Sequence, residues 1–161
     1  MDATKLETIV AALQNIVGSR HVLTDSALFA GALVEPRKLY QGMALALVRP
    51  GSTKEVAEVA AFCNEARIGM VPQGGKTGLV GGQTPDLSGH EIIISTQRLR
   101  AIREVDVDGN VMICESGVTL GEAQAAALAA DRLFPLSLAS EGTCTIGGNI
   151  STNAGGLNVI A

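Results

Sequence analysis

The residues of this chain best equipped for chemistry are glycines. Five of the nine residues 74–82 are glycine, in the run Pro72-Gln-Gly-Gly-Lys-Thr-Gly-Leu-Val-Gly-Gly82. Lacking Cβ, such a run can turn its backbone freely and bring N–H groups close to a ligand surface. Successive inward-turned amides make a concavity suited to phosphate or pyrophosphate. The preceding residues 67–71 read as a short strand, so the run sits at a strand's C-terminal end, where open sheets bind ligands. A second stretch, Gly142-Thr-Cys-Thr-Ile-Gly-Gly-Asn-Ile-Ser-Thr-Asn-Ala-Gly-Gly156, carries five more of the chain's 19 glycines. Two such loops in so small a protein imply a ligand gripped from two sides. Read by itself, the first run also fits a flexible surface loop.

Two familiar nucleotide motifs fail. A P-loop needs glycine, four residues, then Gly-Lys-Ser/Thr. Gly75-Lys76-Thr77 is present, but Met70 stands where the first glycine is required, and Pro72 removes an amide. The dinucleotide fingerprint G-x-G-x-x-G occurs nowhere. Any phosphate is therefore held in another way.

The elements that must position these loops follow from periodicity. Leu6, Ile9, Val10, Leu13, Ile16 and Val17 recur at helical spacing, a helix that Gly18 can end. Residues 25–30 read as a short helical turn, 35–42 as a crossing loop, and 44–48 as a buried strand closed by Pro50-Gly51. Ser52-Thr-Lys-Glu55 is a capping-box pattern opening a helix with Val56, Val59, Ala60 and Cys63 on one face. With the strand at 68–71 this makes a βαβ unit and a small parallel sheet. The strand 91–95 is assigned to a second lobe. There, residues 102–107 and 111–115 flank the turn Asp108-Gly109-Asn110 as an antiparallel hairpin. Thr119-Leu-Gly-Glu122 caps an alanine-rich helix running to about Ala130.

Composition narrows the function. The 161 residues fit one domain or two small lobes. Only Phe29, Tyr40, Phe62 and Phe134 are aromatic, so the core is aliphatic and rich in alanine. A net charge of −4, no basic cluster and no aromatic stacking platform argue against nucleic acid. No apolar run approaches the roughly 18 residues of a membrane span, and the N-terminus lacks a signal-peptide pattern. Cys63, Cys114 and Cys144 are odd in number and widely spaced, which suits free thiols in a reducing compartment, the cytoplasm. Cys63 and Cys114 read as small core residues. No His/Asp/Glu cluster has metal-ligand spacing, so no metal is expected.

Four ordered motifs now carry a resemblance: Val48-Arg-Pro-Gly-Ser-Thr-Lys-Glu-Val56, Pro72-Gln-Gly-Gly-Lys-Thr-Gly-Leu79, Glu115-Ser-Gly-Val-Thr-Leu-Gly-Glu122, and Gly142-Thr-Cys-Thr-Ile-Gly-Gly-Asn149 with Ser151-Thr-Asn-Ala-Gly-Gly156. From about Thr24 onward the chain resembles the FAD-linked oxidases of the vanillyl-alcohol-oxidase or PCMH-type flavin fold. Within them it is most similar to the group of the glycolate oxidase subunit, D-lactate dehydrogenase and D-2-hydroxyglutarate dehydrogenase. The resemblance implies an α+β fold. Residues 1–23 form a helical segment, 24–84 a first FAD-binding lobe (βαβ), and 85–161 a second, incomplete lobe with a mixed or antiparallel sheet.

It also implies FAD held between the lobes. The first loop carries over onto Pro72, Gln73, Gly74, Gly75, Lys76, Thr77, Gly78 and Leu79, mostly through backbone amides, with the Thr77 hydroxyl as an added donor. Lys76 either lends charge to the diphosphate or is a solvated loop lysine. The second carries over onto Gly142, Thr143, Thr145, Gly147, Gly148, Asn149, Thr152, Asn153 and Gly155, and a nearby turn onto Gly117 and Val118. The resemblance implies non-covalent FAD: neither His21 nor His90 lies in a glycine loop, and Cys144 reads as a plain thiol. Relatives continue past Ala161 into a substrate domain that carries the catalytic base and metal-binding histidines, so no catalytic residue is assigned here. The expected function is the FAD-binding portion of a D-2-hydroxy-acid dehydrogenase, with flavin N5 accepting a hydride and a base outside this stretch taking the hydroxyl proton. The piece alone is expected to be inactive and prone to self-association. Alternatives are a non-catalytic flavin- or nucleotide-binding domain, and an enolpyruvyl sugar-nucleotide reductase of the same fold.

Overall fold

A computed structural model describes residues 3–158 of the chain. It forms two compact units, Met1–Arg98 and Leu99–Ala161.

In the first unit, helix α1 (Ala3–Val17) turns Ile9, Leu13 and Val17 inward. Gly18 ends it at φ 86°, its amide reaching back to the Gln14 carbonyl at 2.8 Å. Strand β1 (Val22–Leu23) leads, through a 3-10 segment Ser26–Ala32 capped by Asp25, to β2 (Ala46–Val48). Helix α2 (Thr53–Ala66), β3 (Gly69–Gln73) and β4 (Glu91–Ser95) follow. The sheet order is β1-β2-β4-β3, with β1 antiparallel to β2, and β2 and β3 each parallel to β4. The expected βαβ crossover is present, but its two strands are not neighbours, because β4 inserts between them.

The placement of residues 91–95 in a second lobe is therefore corrected. Ile92 and Ile93 are fully buried and Ile94 nearly so. An unbroken apolar strand covered on both faces belongs in the interior of a parallel sheet, and sequence order alone did not reveal that. Its partner β3 carries Pro72, which cannot donate to a ladder, and lies at the edge where proline is tolerated. Residues before 24 also belong to this unit, since Ile9, Leu13 and Val17 share one core cluster with Val48, Val59, Cys63, Ile92 and Ile94. The capping box at α2 is only half formed. The Ser52 hydroxyl accepts from the Glu55 amide at 3.1 Å, but the Glu55 carboxylate takes the Gly51 amide at 2.7 Å and pairs with Arg98 at 3.6 Å.

In the second unit, β5 (Ile102–Asp106) and β6 (Val111–Cys114) form the expected antiparallel hairpin. Its left-handed residue is Asn110, at φ 52°, not Gly109. Glycine at 109 leaves room for the Asp106 carboxylate: a Cβ there would lie 2.4 Å from one of its oxygens and push it aside. That carboxylate caps the turn by accepting from the Asp108 and Gly109 amides. Helix α3 (Leu120–Ala129) opens with a complete capping box. The Glu122 amide donates to the Thr119 hydroxyl at 3.2 Å, and the Glu122 carboxylate accepts the Thr119 amide at 2.8 Å. The second glycine stretch is not simply a loop. Its centre is a short helix, α4 (Ile146–Ser151), capped by the Thr145 side chain.

Candidate functional site

The first glycine run leaves the C-terminal end of β3 with an asymmetric hydrogen-bonding pattern. Gln83 Nε2 donates to the Gly78 carbonyl at 2.9 Å and to the Lys76 carbonyl at 3.3 Å. The Arg37 guanidinium donates to the Leu79 carbonyl, and the Thr84 amide to the Gly81 carbonyl at 2.9 Å. The amides of residues 75–83, by contrast, meet no acceptor among the described residues. With the carbonyls of Lys76, Gly78, Leu79 and Gly81 engaged by the protein and the amides free, the loop offers more unpaired donors than its carbonyl pattern alone would give, a polarity that suits an anion. No carboxylate lies in residues 72–83, and Lys76 is the one charged side chain there.

The loop is tied to residues 31–42. Gln73 is buried, and its Nε2 donates to the Ala32 carbonyl at 2.9 Å and the Gln83 carbonyl at 3.0 Å, so this residue braces the loop from beneath. The Lys76 ammonium donates to the Gly31 carbonyl at 3.0 Å, and Lys76 itself sits at φ 58°. Of the two roles open to Lys76 in the sequence, the structure adds a third, an anchor. Glu35, at 1% exposure, accepts the Arg37 amide at 2.8 Å and the Leu39 amide at 2.7 Å. Burial pushes its carboxyl up, but those amides and the Arg37 guanidinium together hold it below the ordinary value. Pro72 and Gly74 are exposed, and Gly75 and Thr77 are half-buried, at the rim of this assembly. A groove of about 720 Å³ runs beside the loop, lined by Leu39, Tyr40, Met70, Pro72, Gly81 and Gly82 among others. None of residues 74–79 lines it. The groove lies along the outer edge of β3, whereas the free amides of residues 75–83 supply donors that discriminate for charge.

The second stretch divides into two kinds of residue. The Ile146 amide donates to the Val118 carbonyl at 2.8 Å, the Gly147 amide to the Ser116 carbonyl at 3.0 Å, and the Gly148 amide to the Thr145 hydroxyl at 3.3 Å. These first-turn donors are consumed by the unit itself. Gly147 packs so closely that a Cβ would lie 2.6 Å from Ser116 Cβ and 2.9 Å from its carbonyl oxygen. Gly117 and Val118 are buried, with the Gly117 amide on the Leu99 carbonyl at 2.8 Å, so both build the turn that receives α4. Asn149 is buried and donates to the Cys144 sulfur at 3.6 Å. Gly142, Thr143, Thr152, Asn153 and Gly155 are exposed. Glu35 and Arg37 carry no sequence signal as site residues, because Arg37 and Leu79 stand 42 positions apart and meet only in the fold, whereas Gln83, directly after Gly82, was missed although its contacts with the run are local.

A mixed sheet, parallel except for β1, whose terminal loop displays unpaired amides, followed in sequence by a hairpin-and-helix unit, makes this an α+β protein. The family model described as "FAD binding domain" matches residues 44–161, and the chain belongs to that family. It is 34% identical over 151 residues to the mitochondrial D-2-hydroxyglutarate dehydrogenase of Arabidopsis thaliana, which covers 94% of this chain and 27% of that protein. The Danio rerio enzyme of the same name is 38% identical over 138 residues, covering 86% and 26%. A D-2-hydroxyglutarate–pyruvate transhydrogenase of Saccharomyces cerevisiae is 37% identical over 123 residues, covering 76% and 24%. The chain thus spans about a quarter of the length of these relatives. Its fold matches a solved alkyldihydroxyacetonephosphate synthase (TM-score 0.85, 18% identity, 93% of this chain and 32% of that one). It also matches p-cresol methylhydroxylase (TM-score 0.71, 16% identity, 93% and 30%). The expected PCMH-type fold is present.

Proposed function

We propose that this chain is the FAD-binding portion of a flavin-dependent dehydrogenase of D-2-hydroxy acids, with D-2-hydroxyglutarate as the leading substrate. The observation that carries the cofactor site is the run of free amides over residues 75–83, set against carbonyls held by Gln83, Arg37 and Thr84. Such a surface fits a diphosphate and has no carboxylate to repel it. FAD supplies the redox chemistry when bound, and the protein's part is to bind and orient it. In the second unit the exposed Thr143, Thr152, Asn153 and Gly155 are kept as cofactor contacts, while Gly147 and Gly148 serve packing and capping. Binding is non-covalent. Support for this comes from Cys144, which is 2% exposed and accepts a hydrogen bond from Asn149 at 3.6 Å, the setting of a plain buried thiol.

The names of the matched relatives favour a hydroxy-acid substrate, and we place the proton-accepting base and substrate contacts in sequence beyond that shared with this chain. Three free cysteines suit a reducing compartment, the cytoplasm in our reading. The test is anaerobic mixing of D-2-hydroxyglutarate with the FAD-loaded protein, following flavin absorbance. A longer protein carrying this chain should bleach while the chain alone stays yellow. Bleaching by glycolate or D-lactate but not D-2-hydroxyglutarate would overturn the substrate, and retention of FAD with no bleaching by any of them would leave a non-catalytic flavin carrier.

A further inference from the structure

The peptide planes of the first glycine run are set by side chains outside it. Trans peptides point C=O of one residue and N–H of the next in opposite directions, and no cis bond occurs among the described residues. Fixing the carbonyls of Lys76, Gly78 and Leu79 therefore fixes the amides of Thr77, Leu79 and Val80 to face the other way. A primary amide has two N–H donors. Gln83 spends both on the Lys76 and Gly78 carbonyls. Its own carbonyl accepts one hydrogen bond from Gln73 Nε2, which also donates to the Ala32 carbonyl, so its backbone is tied to residues 31–42. The Leu79 carbonyl is held by Arg37, whose backbone amide and guanidinium are oriented by the buried Glu35, with Nε 3.8 Å from the carboxylate.

We propose that Gln83 and Arg37 are positioning residues for the cofactor's diphosphate. Gln83 aims the amides of Thr77 and Leu79, and Arg37 aims that of Val80. Neither side chain need touch the ligand. This rests on the assignment of the diphosphate to residues 74–79 and adds to it which groups preorganise the donors. A loop of several glycines has many backbone states to lose on binding, and holding its planes in advance removes that cost.

The test is two-dimensional NMR of the 15N-labelled chain titrated with FAD and, separately, with inorganic pyrophosphate. The unaltered chain should show saturable shifts at the Thr77, Leu79 and Val80 amides. Gln83→Leu should abolish the response at Thr77 and Leu79 and spare Val80. Arg37→Ala should abolish Val80 and spare Thr77, with Arg37→Lys restoring part of it. Each loss should weaken binding by about tenfold or more, the scale of one hydrogen bond to a charged group. A merely structural role would shift stability without this residue-by-residue pattern. If both variants keep all three responses, the positioning role is overturned while the loop assignment stands. If the unaltered chain shows no response at these amides to either probe, or Gly75→Val responds as it does, the loop assignment itself fails.

Discussion

Gly147 and Gly142 look alike in sequence, both glycines of one motif, and the structure predicts opposite consequences for replacing them with alanine. At Gly147 the new Cβ would meet Ser116 Cβ at 2.6 Å, its carbonyl oxygen at 2.9 Å and its Cα at 3.0 Å. These atoms belong to a turn pinned by the Gly117 amide on the Leu99 carbonyl, so they cannot swing aside as a side-chain tip could. Overpacking of this kind costs about 1–3 kcal/mol, with rigid backbone favouring the upper end. The Gly147 amide bond to the Ser116 carbonyl would stretch as α4 withdrew, adding about 1 kcal/mol. Alanine's better helix propensity returns about 1 kcal/mol. The net is a loss of about 2–3 kcal/mol, or a fall in Tm of roughly 5–10 °C for a chain of this size. At Gly142 a Cβ meets nothing within 4 Å and the backbone is not left-handed, so Gly142→Ala should stay within about 0.5 kcal/mol of the parent. Urea unfolding followed by far-UV circular dichroism, with both variants in parallel, measures the difference. Equal midpoints for the two variants would refute the claim that Gly147 is a packing glycine.

Other consequences follow from named groups. Glu35 has a folded-state value below the ordinary 4.5, so its carboxylate stabilises the fold above that pH and loses the contribution as pH falls through the lowered value. The stability gap between the parent and Glu35→Gln should therefore be open at pH 7 and close in acid; a gap that widens on acidification contradicts the assignment. Burial pushes the Cys63 thiol up to about 11, so iodoacetamide at pH 7.5 should label the half-buried Cys114 first and reach Cys63 only on unfolding, as peptide mass mapping would show. Thr119→Ala removes both the hydroxyl acceptor for the Glu122 amide and the hydroxyl's donation to that carboxylate, and should cost about 1–2 kcal/mol in thermal unfolding, more than Ser52→Ala, whose box is only half closed.

Much of the fold was legible because its signals are local. The helical spacing of Ile9, Leu13 and Val17, the Ser52 and Thr119 caps, and the hairpin around residues 108–110 each lie within a few residues of the feature they specify. What escaped was non-local. Nothing in Glu91-Ile-Ile-Ile-Ser95 states that it enters between two earlier strands, since insertion is decided by which faces can be covered. The same limit hid part of the site's brace, where Arg37 meets Leu79 across the fold. Glycine itself was the ambiguous letter. The absence of Cβ serves close packing at Gly147 and clearance from Asp106 at Gly109, while at residues 74–78 we propose that it serves ligand approach; the sequence does not separate these uses.

The central claim is that FAD's diphosphate lies on the amides of the first glycine run. The most direct measurement is a fluorescence titration of FAD into the chain and into Gly75→Val, with thermal unfolding of both as the control for folding. A branched side chain at 75 adds bulk within the run of donors, so we predict saturable binding by the unaltered chain and at least about tenfold weaker binding by the variant, at similar Tm. Equal affinity in the two proteins, or no saturable binding by the unaltered chain, would contradict it.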